Sequence, residues 1–158
     1  PVYAVALFNL DPTTRTFRLQ PEVAGIDPGR DWLALEWWQC RWLGRGAGAL
    51  HVEVPPLDVA VVHMRPTAAE PAVVSCSHHP SGLYVLDAVR FEPTTDTLSG
   101  TLVTRPGLDV VVFGQMPAGW SLHTDMRARA TANPDGGWQC EVTTTGTHTP
   151  FAVRFVRA

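Results

Sequence analysis

Apolar and polar residues alternate with a period of two along much of the chain. The alternation is clear over residues 51–54, 138–144 and 151–156. Successive side chains of a strand point to opposite faces, so this pattern is typical of strands with one face on a core and the other in water. Residues 2–8 and 110–113 are apolar on both faces. They predict central strands that are covered on both sides, or covered by a neighbouring domain.

Proline and glycine separate these segments. Turn sequences such as Asp27-Pro28-Gly29 and Pro106-Gly107 combine a preset φ from proline with the positive φ that glycine allows. No window of eleven or more residues keeps a 3.6-residue period, and a single helical turn is predicted at residues 21–25. The pattern predicts roughly a dozen short strands, near residues 2–9, 14–20, 32–39, 49–54, 58–65, 72–78, 83–91, 97–104, 109–115, 120–125, 127–132, 137–145 and 150–157.

Short strands with frequent turns favour one fold class. We predict an all-β protein, an antiparallel two-sheet β-sandwich with Greek-key-like connections. A chain of 158 residues suits one domain and can bury a sizeable core without disulfides or metals. Residues 67–70 are the plausible internal boundary, but we expect neither half to hold a good core alone. The prediction is therefore a single domain over residues 1–158.

Composition and charge exclude several classes of protein. Apolar residues make up 45% and charged residues 17% of the chain, which argues against disorder. The net charge is −3 and there is no basic run, so a nucleic-acid partner is not predicted. No apolar stretch approaches the roughly 20 residues of a membrane-spanning helix, and the compartment is unknown. Because the chain enters a predicted strand at Pro1, we expect it to be a piece of a longer protein.

The sequence predicts no cofactor and no metal site. Gly44-Arg-Gly46-Ala-Gly48-Ala49 is close to a dinucleotide-binding fingerprint, but a strand follows it instead of the helix that would hold a pyrophosphate. We therefore expect a hairpin loop there. His78 and His79 are adjacent in an extended segment, so their side chains point to opposite faces and cannot easily share an ion.

No catalytic residue is predicted either. The chain has none of the common nucleophile, zinc or phosphate-binding motifs. Glycoside hydrolysis needs two carboxyl groups about 5–10 Å apart across a cleft. No spacing singles out such a pair among the carboxylates that the chain offers, which are Asp87, Glu92, Asp96, Asp125 and Glu141.

The three cysteines point to structure rather than chemistry. Cys40, Cys76 and Cys140 are an odd number and form no CxxC pair, which supports neither a disulfide framework nor a zinc site. Each lies in an apolar, strand-like setting. We predict three reduced and mostly buried thiols that act as small hydrophobic side chains.

The tryptophans are the candidates for an interaction site. Four of the six fall between positions 32 and 42, and Trp37 and Trp38 are adjacent on the predicted strand 32–39, so they should point to opposite faces. If one fills the core, the other is exposed or covered by a partner, as a packing face for a domain or a platform for a sugar ring. Alternatively, both are buried. Trp37, Trp38 and Trp42 are the candidate domain-interface or sugar-stacking residues.

Several motifs carry a resemblance to a known family. They are Val5-Ala-Leu-Phe-Asn9, Trp38-Gln-Cys-Arg-Trp42-Leu-Gly44, the alternating strand that ends in Pro55-Pro56, the strand that ends in Arg65-Pro66, the hairpin from Asp87 to Gly100, and Pro117-Ala-Gly119-Trp120. They resemble the β-domain that follows the catalytic barrel in α-galactosidase-like glycoside hydrolases of clan D. The resemblance extends over nearly the whole chain.

The resemblance implies a function without chemistry of its own. The chain would be the C-terminal accessory domain of such an enzyme, packing against and stabilising an N-terminal (β/α)8 barrel that holds both catalytic aspartates. Residues 2–8 and one of Trp37 and Trp38 would then face the barrel. Two alternatives stay open: a free-standing carbohydrate-binding β-sandwich that uses the tryptophans, and the C-terminal domain of an α-amylase-type enzyme.

Overall fold

The protein is built almost entirely from antiparallel strands. The computed structural model describes residues 1–81, 83–123 and 129–157, and this part of the chain contains fourteen strands and one short 3-10 helix. Every strand pairing within it is antiparallel. The predicted all-β, sandwich-like class is confirmed. The strands form four sheets of two to four strands each.

The chain divides into two compact units, Pro1–Thr67 and Ala68–Ala158. The division falls at the segment that the sequence marked as the plausible boundary. Each unit contains a buried apolar cluster made of its own residues. The expectation that neither half would have a core of its own therefore does not describe the packing. The prediction of one domain over residues 1–158 stays a prediction.

The first unit packs a four-stranded sheet against a two-stranded one. The four-stranded sheet has the order β1-β6-β3-β4, and β2 pairs with β5. The core between them contains, among others, Trp32, Val52, Val62 and Met64. The strands are β1 (Tyr3–Phe8), β2 (Arg15–Leu19), β3 (Trp32–Glu36), β4 (Arg41–Gly46), β5 (Leu50–Val54) and β6 (Val59–Pro66), with a one-turn 3-10 helix over Pro21–Ala24.

Two predictions for the first unit were wrong. Residues 2–8 do not form a central strand, because β1 pairs with β6 alone among the described strands and is therefore an edge strand; the alternative, cover by a neighbouring domain, stays a prediction. Its odd-numbered residues are half-buried and its even-numbered residues are exposed. The glycine-rich segment is not only a loop, because Arg41–Gly46 forms β4 and pairs with β3. The predicted helical turn is confirmed by the helix at Pro21–Ala24, which Gly25 ends with a φ of 77°.

The second unit is a sandwich of two four-stranded sheets. Their orders are β12-β13-β10-β7 and β11-β14-β9-β8. Trp138, Phe151 and Phe155 are the large aromatic members of the core between the sheets. The strands are β7 (Ala72–Cys76), β8 (Leu86–Glu92), β9 (Thr97–Val103), β10 (Asp109–Gln115), β11 (Trp120–Leu122), β12 (Arg129–Ala132), β13 (Gly137–Thr143) and β14 (His148–Arg157).

Strand β10 is central, as its apolar sequence predicts. It lies between β13 and β7, and most of its side chains are buried. The indole N–H of Trp138 donates a 2.9 Å hydrogen bond to the carbonyl of Gln115 at the end of this strand. The strands predicted over 120–125 and 127–132 correspond to β11 and β12 where they are described. Asp125 lies outside the described residues.

Candidate interaction site at the hairpin between strands β3 and β4

The sequence predicts one strand through both adjacent tryptophans, but the chain turns before them. Strand β3 ends at Glu36, and residues 37–40 form the turn into β4. The N–H of Cys40 donates to the carbonyl of Trp37 at 3.2 Å, which closes the turn. Cys40 has a φ of 50°, in the left-handed region that few non-glycine residues adopt.

A buried carboxylate holds this turn in place. Glu36 is only 3% exposed. One of its oxygens accepts the backbone N–H of Gln39 at 2.7 Å, and the other accepts the backbone N–H of Val61 on β6 at 3.2 Å. If the ladder between β3 and β6 continued past Glu36, the carbonyl of Trp37 would accept the N–H of Val61. In the turn this carbonyl accepts the N–H of Cys40 instead. The Glu36 side chain thus supplies the acceptor that the sheet loses where the chain turns away.

The turn separates the two tryptophans by exposure. Trp37 is 8% exposed, whereas Trp38 is 58% exposed. Their rings touch edge to face, with centroids 4.5 Å apart and planes at 69°. The prediction that they lie on opposite faces of a strand was wrong, because both belong to the turn. Of the two alternatives that the sequence left open, the structure shows the one in which a single ring is buried, because Trp37 is covered and Trp38 is not. Trp42, the third candidate, is half-buried on β4 and pairs with Leu35 of β3.

Other exposed apolar side chains lie at the same end of the first unit. The N–H of Trp37 donates to the carbonyl of Val61 near the start of β6. Phe8, at the end of β1, pairs with Val59, the first residue of β6. The turn with Trp38, the loop after β1 and the loop before β6 therefore share one end of the sheet. Leu10 is 81% exposed and Leu57 is 74% exposed. We call Leu10, Trp38 and Leu57 the end patch.

A buried asparagine fixes the loops that carry the two leucines. Asn9 is fully buried. Its side-chain amide donates to the carbonyls of Thr13, Val54 and Pro55 at 2.8–3.0 Å, and its side-chain oxygen accepts the N–H of Asp11 at 3.0 Å. These bonds join the loop after β1 to the end of β5. Sequence reasoning included Asn9 only as part of a motif and missed Leu10, Leu57 and Glu36. An asparagine directly after an apolar strand was the available signal.

Polar groups lie beside Trp38 as well. The Nε of Arg41 donates to the side-chain oxygen of Gln39 at 3.1 Å, and both residues are exposed. An exposed indole with such groups as its neighbours in the chain is suited to a partner that packs an apolar surface on the ring and forms hydrogen bonds with the polar groups. The Cys40 thiol of the same turn donates to the carbonyl of Trp37 at 3.5 Å.

The other titratable candidates have local partners. His79 contacts Ser81 through Nδ1 at 2.8 Å, and His78 contacts Thr104 through Nε2 at 3.1 Å. Hydrogen bonds from Thr94 lower the pKa of Glu92. Asp96 pairs with Arg157, and Glu141 pairs with Arg129. Within residues 1–81, 83–123 and 129–157, no group of three His, Cys, Asp or Glu side chains could hold a metal ion.

All three cysteines are thiols. Cys76 and Cys140 are buried, and Cys40 is half-buried. Burial raises the pKa of all three, and the charges of Glu36 and Glu141 add to this effect at Cys40 and Cys140. The predicted burial therefore holds for Cys76 and Cys140 but not for Cys40, which lies in a turn, and the reduced state of the three thiols stays a prediction.

Comparisons with known proteins identify no relative. No family model fits the sequence, and no curated protein or solved structure gives a significant match. In the described part of the chain, none of the helical segments could span a lipid bilayer.

Proposed function

We propose that this chain is a non-catalytic accessory domain of an α-galactosidase-like glycoside hydrolase, which packs against the catalytic (β/α)8 barrel and stabilises it. The observation that carries the proposal is the exposed indole of Trp38, held in a turn by the buried carboxylate of Glu36. The family assignment depends on the sequence motifs, and the docking role on this surface.

The end patch has the properties of a docking surface. A contiguous exposed apolar surface is typical of an interaction site, and three large exposed apolar side chains lie at this end of the first unit. Aromatic side chains at the centre of such a contact can each contribute more than about 2 kcal/mol to binding. Two buried polar side chains, Glu36 and Asn9, fix the loops of this patch. Little conformational entropy would then be lost when a partner covers it.

One observation also favours a second candidate, a carbohydrate-binding module. Trp38 is flanked by the hydrogen-bonded pair Gln39 and Arg41. A sugar ring offers an apolar face for stacking on an indole and hydroxyl groups for such polar neighbours. In this alternative the same residue would contact ligand instead of a neighbouring domain.

Sugar titration separates the two candidates. The chain is titrated with galactose and with an aryl α-galactoside while tryptophan fluorescence is recorded. The docking role predicts no saturable change at millimolar sugar, whereas micromolar saturation that Trp38→Ala abolishes would establish the carbohydrate-binding module. Tyr84→Ala is the matched control, because Tyr84 is an exposed aromatic in the second unit. Hydrolysis of the aryl α-galactoside by the chain alone would contradict a non-catalytic role.

The complete enzyme gives the second test. If the chain is joined to a barrel, Trp38→Ala should lower the thermal midpoint of the enzyme and leave its Michaelis constant nearly unchanged. Tyr84→Ala should change neither. A large rise of the Michaelis constant at unchanged thermal stability would place Trp38 at the substrate and contradict the docking role.

A further inference from the structure

The outer edge of strand β1 carries backbone groups without a strand partner. The register of β1 with β6 continues beyond Phe8 and Val59, since the N–H of Asn9 donates to the carbonyl of Asp58 at 2.9 Å. Asn9 therefore belongs to a hydrogen-bonded pair. Such pairs alternate along an antiparallel ladder, so the odd residues of β1 bond to β6. The N–H and C=O groups of the even residues, Ala4, Ala6 and Phe8, point away from it.

The side chains along this edge do not block strand pairing. Proteins usually protect an edge strand with charges, prolines or a covering element. Tyr3–Phe8 contains neither a charged residue nor a proline. Ala4, Ala6 and Phe8 are exposed on the outer face, and Phe8 reaches 63% exposure. Within the described residues, β6 is the only strand that pairs with β1.

We infer that β1 pairs with β1 of a second copy of this chain, antiparallel, across a two-fold axis at Ala6. In this register Ala6 lies opposite Ala6, and Ala4 lies opposite Phe8. It is the register in which all three outward-pointing residues pair among themselves, so that every outward N–H of the strand meets a carbonyl. A slip by one residue would instead set outward groups against groups already bonded to β6.

The side chains are complementary in this register. On the outer face the large ring of Phe8 lies over the small Ala4 of the other copy, which avoids a clash between two large groups. On the other face Val5 lies opposite Leu7, and both are only half-buried within one copy. Pairing would cover more of the apolar surface of both residues. The sheet β1-β6-β3-β4 of one copy then joins the same sheet of the other copy, and the two form one continuous sheet of eight strands.

This inference does not rest on the proposed function, and it competes with the expectation from the family resemblance that residues 2–8 face a barrel. It uses the edge of β1 and not the end patch, and a strand of six residues gives a contact below the usual interface size. We expect a weak dimer in dilute solution. The two-fold axis provides a specific test, because a charge placed at Ala6 meets its own copy.

The experiment is sedimentation equilibrium of the complete chain up to about 0.5 mM, a concentration at which a weak dimer of this size is populated. The wild type should approach twice the monomer mass. Ala6→Glu and Ala6→Arg should each weaken the association by about tenfold or more, since like charges directly opposite repel. An equimolar mixture of the two variants should recover the dimer, because opposite charges then face each other. Ala132→Glu, at an exposed position of β12, is the matched control and should dimerise like the wild type.

The outcomes are decisive in both directions. Recovery of association in the mixture supports the inference and also shows that both variants are folded. A wild type that stays monomeric at the highest concentration overturns it and leaves the edge of β1 to a different partner, such as a catalytic barrel. A dimer that persists in both Ala6 variants also overturns it, because the contact then lies elsewhere.

Discussion

The carboxylate of Glu36 accepts a 2.7 Å hydrogen bond from the backbone N–H of Gln39, three residues further along the chain. Its second oxygen accepts the N–H of Val61 on the neighbouring strand. One buried side chain thus ends β3, fixes the turn and ties it to β6. The exposed position of Trp38 depends on this arrangement.

Glu36→Ala should destabilise the chain and loosen the turn. Two backbone N–H groups lose their acceptor, and the expected loss in the free energy of unfolding is about 2–3 kcal/mol. Urea unfolding measures the loss, and quenching of tryptophan fluorescence reports the mobility of the turn. Glu53→Ala is the control, since Glu53 is exposed on β5. Equal midpoints for the two variants would show that the Glu36 hydrogen bonds contribute nothing.

The two adjacent tryptophans should respond differently to truncation in the isolated chain. Trp37→Ala removes a buried ring and should cost about 3–5 kcal/mol in the free energy of unfolding. Trp38→Ala removes an exposed ring whose main loss is its edge-to-face contact with Trp37, so about 1 kcal/mol or less is expected. Chemical denaturation of both variants checks the contrast. If the order were reversed, the assignment of the buried and exposed rings would be wrong.

Gly114→Ala should be strongly destabilising. A β-carbon at Gly114 would meet the ring of Trp138 and the backbone carbonyl of Ala72. Trp138 is fully buried and its indole N–H is already bonded to the Gln115 carbonyl, so the ring cannot easily move. Overpacking of this kind costs about 3 kcal/mol. Gly146→Ala, where a β-carbon meets nothing within 4 Å, is the control. If Gly114 had room for a β-carbon, thermal unfolding would give similar midpoints for Gly114→Ala and Gly146→Ala.

Alkaline pH should destabilise the chain through its thiols. Burial, helped by the charge of Glu141, raises the pKa of Cys140, while the thiol of the unfolded chain ionises near its ordinary pKa of about 8.5. Above that pH the unfolded state binds fewer protons than the folded state, so the free energy of unfolding falls as pH rises.

The measurement is the urea midpoint at about pH 7.5 and about pH 9.5, on either side of the ordinary thiol pKa. Cys140→Ala is less stable at both pH values because it leaves a cavity, but its midpoint should drop less between them than that of the wild type. An equal drop in the two proteins would mean that Cys140 does not contribute to the pH dependence.

The sequence by itself determined the class of fold and the position of nearly every described strand. Alternation over residues 138–144 and 151–156 shows which side chains face a core, because a strand repeats every two residues whatever it pairs with. Strand β4 was the exception, since Gly44 and Gly46 read as a loop. There, pairing with β3 outweighs the weak strand preference of glycine.

Only the tertiary structure decided where the strands lie in their sheets and which tryptophan is exposed. The apolar pattern of β1 is the same for a central strand and for an edge strand, and its place depends on pairing with β6, more than fifty positions away in the chain. Trp37 and Trp38 differ because Glu36 bonds to both Gln39 and Val61. The bond to Val61 joins residues 25 positions apart in the chain, so no local pattern contains it. The period of two specifies which side chains of a strand face a core, and long-range contacts decide which other element covers that face.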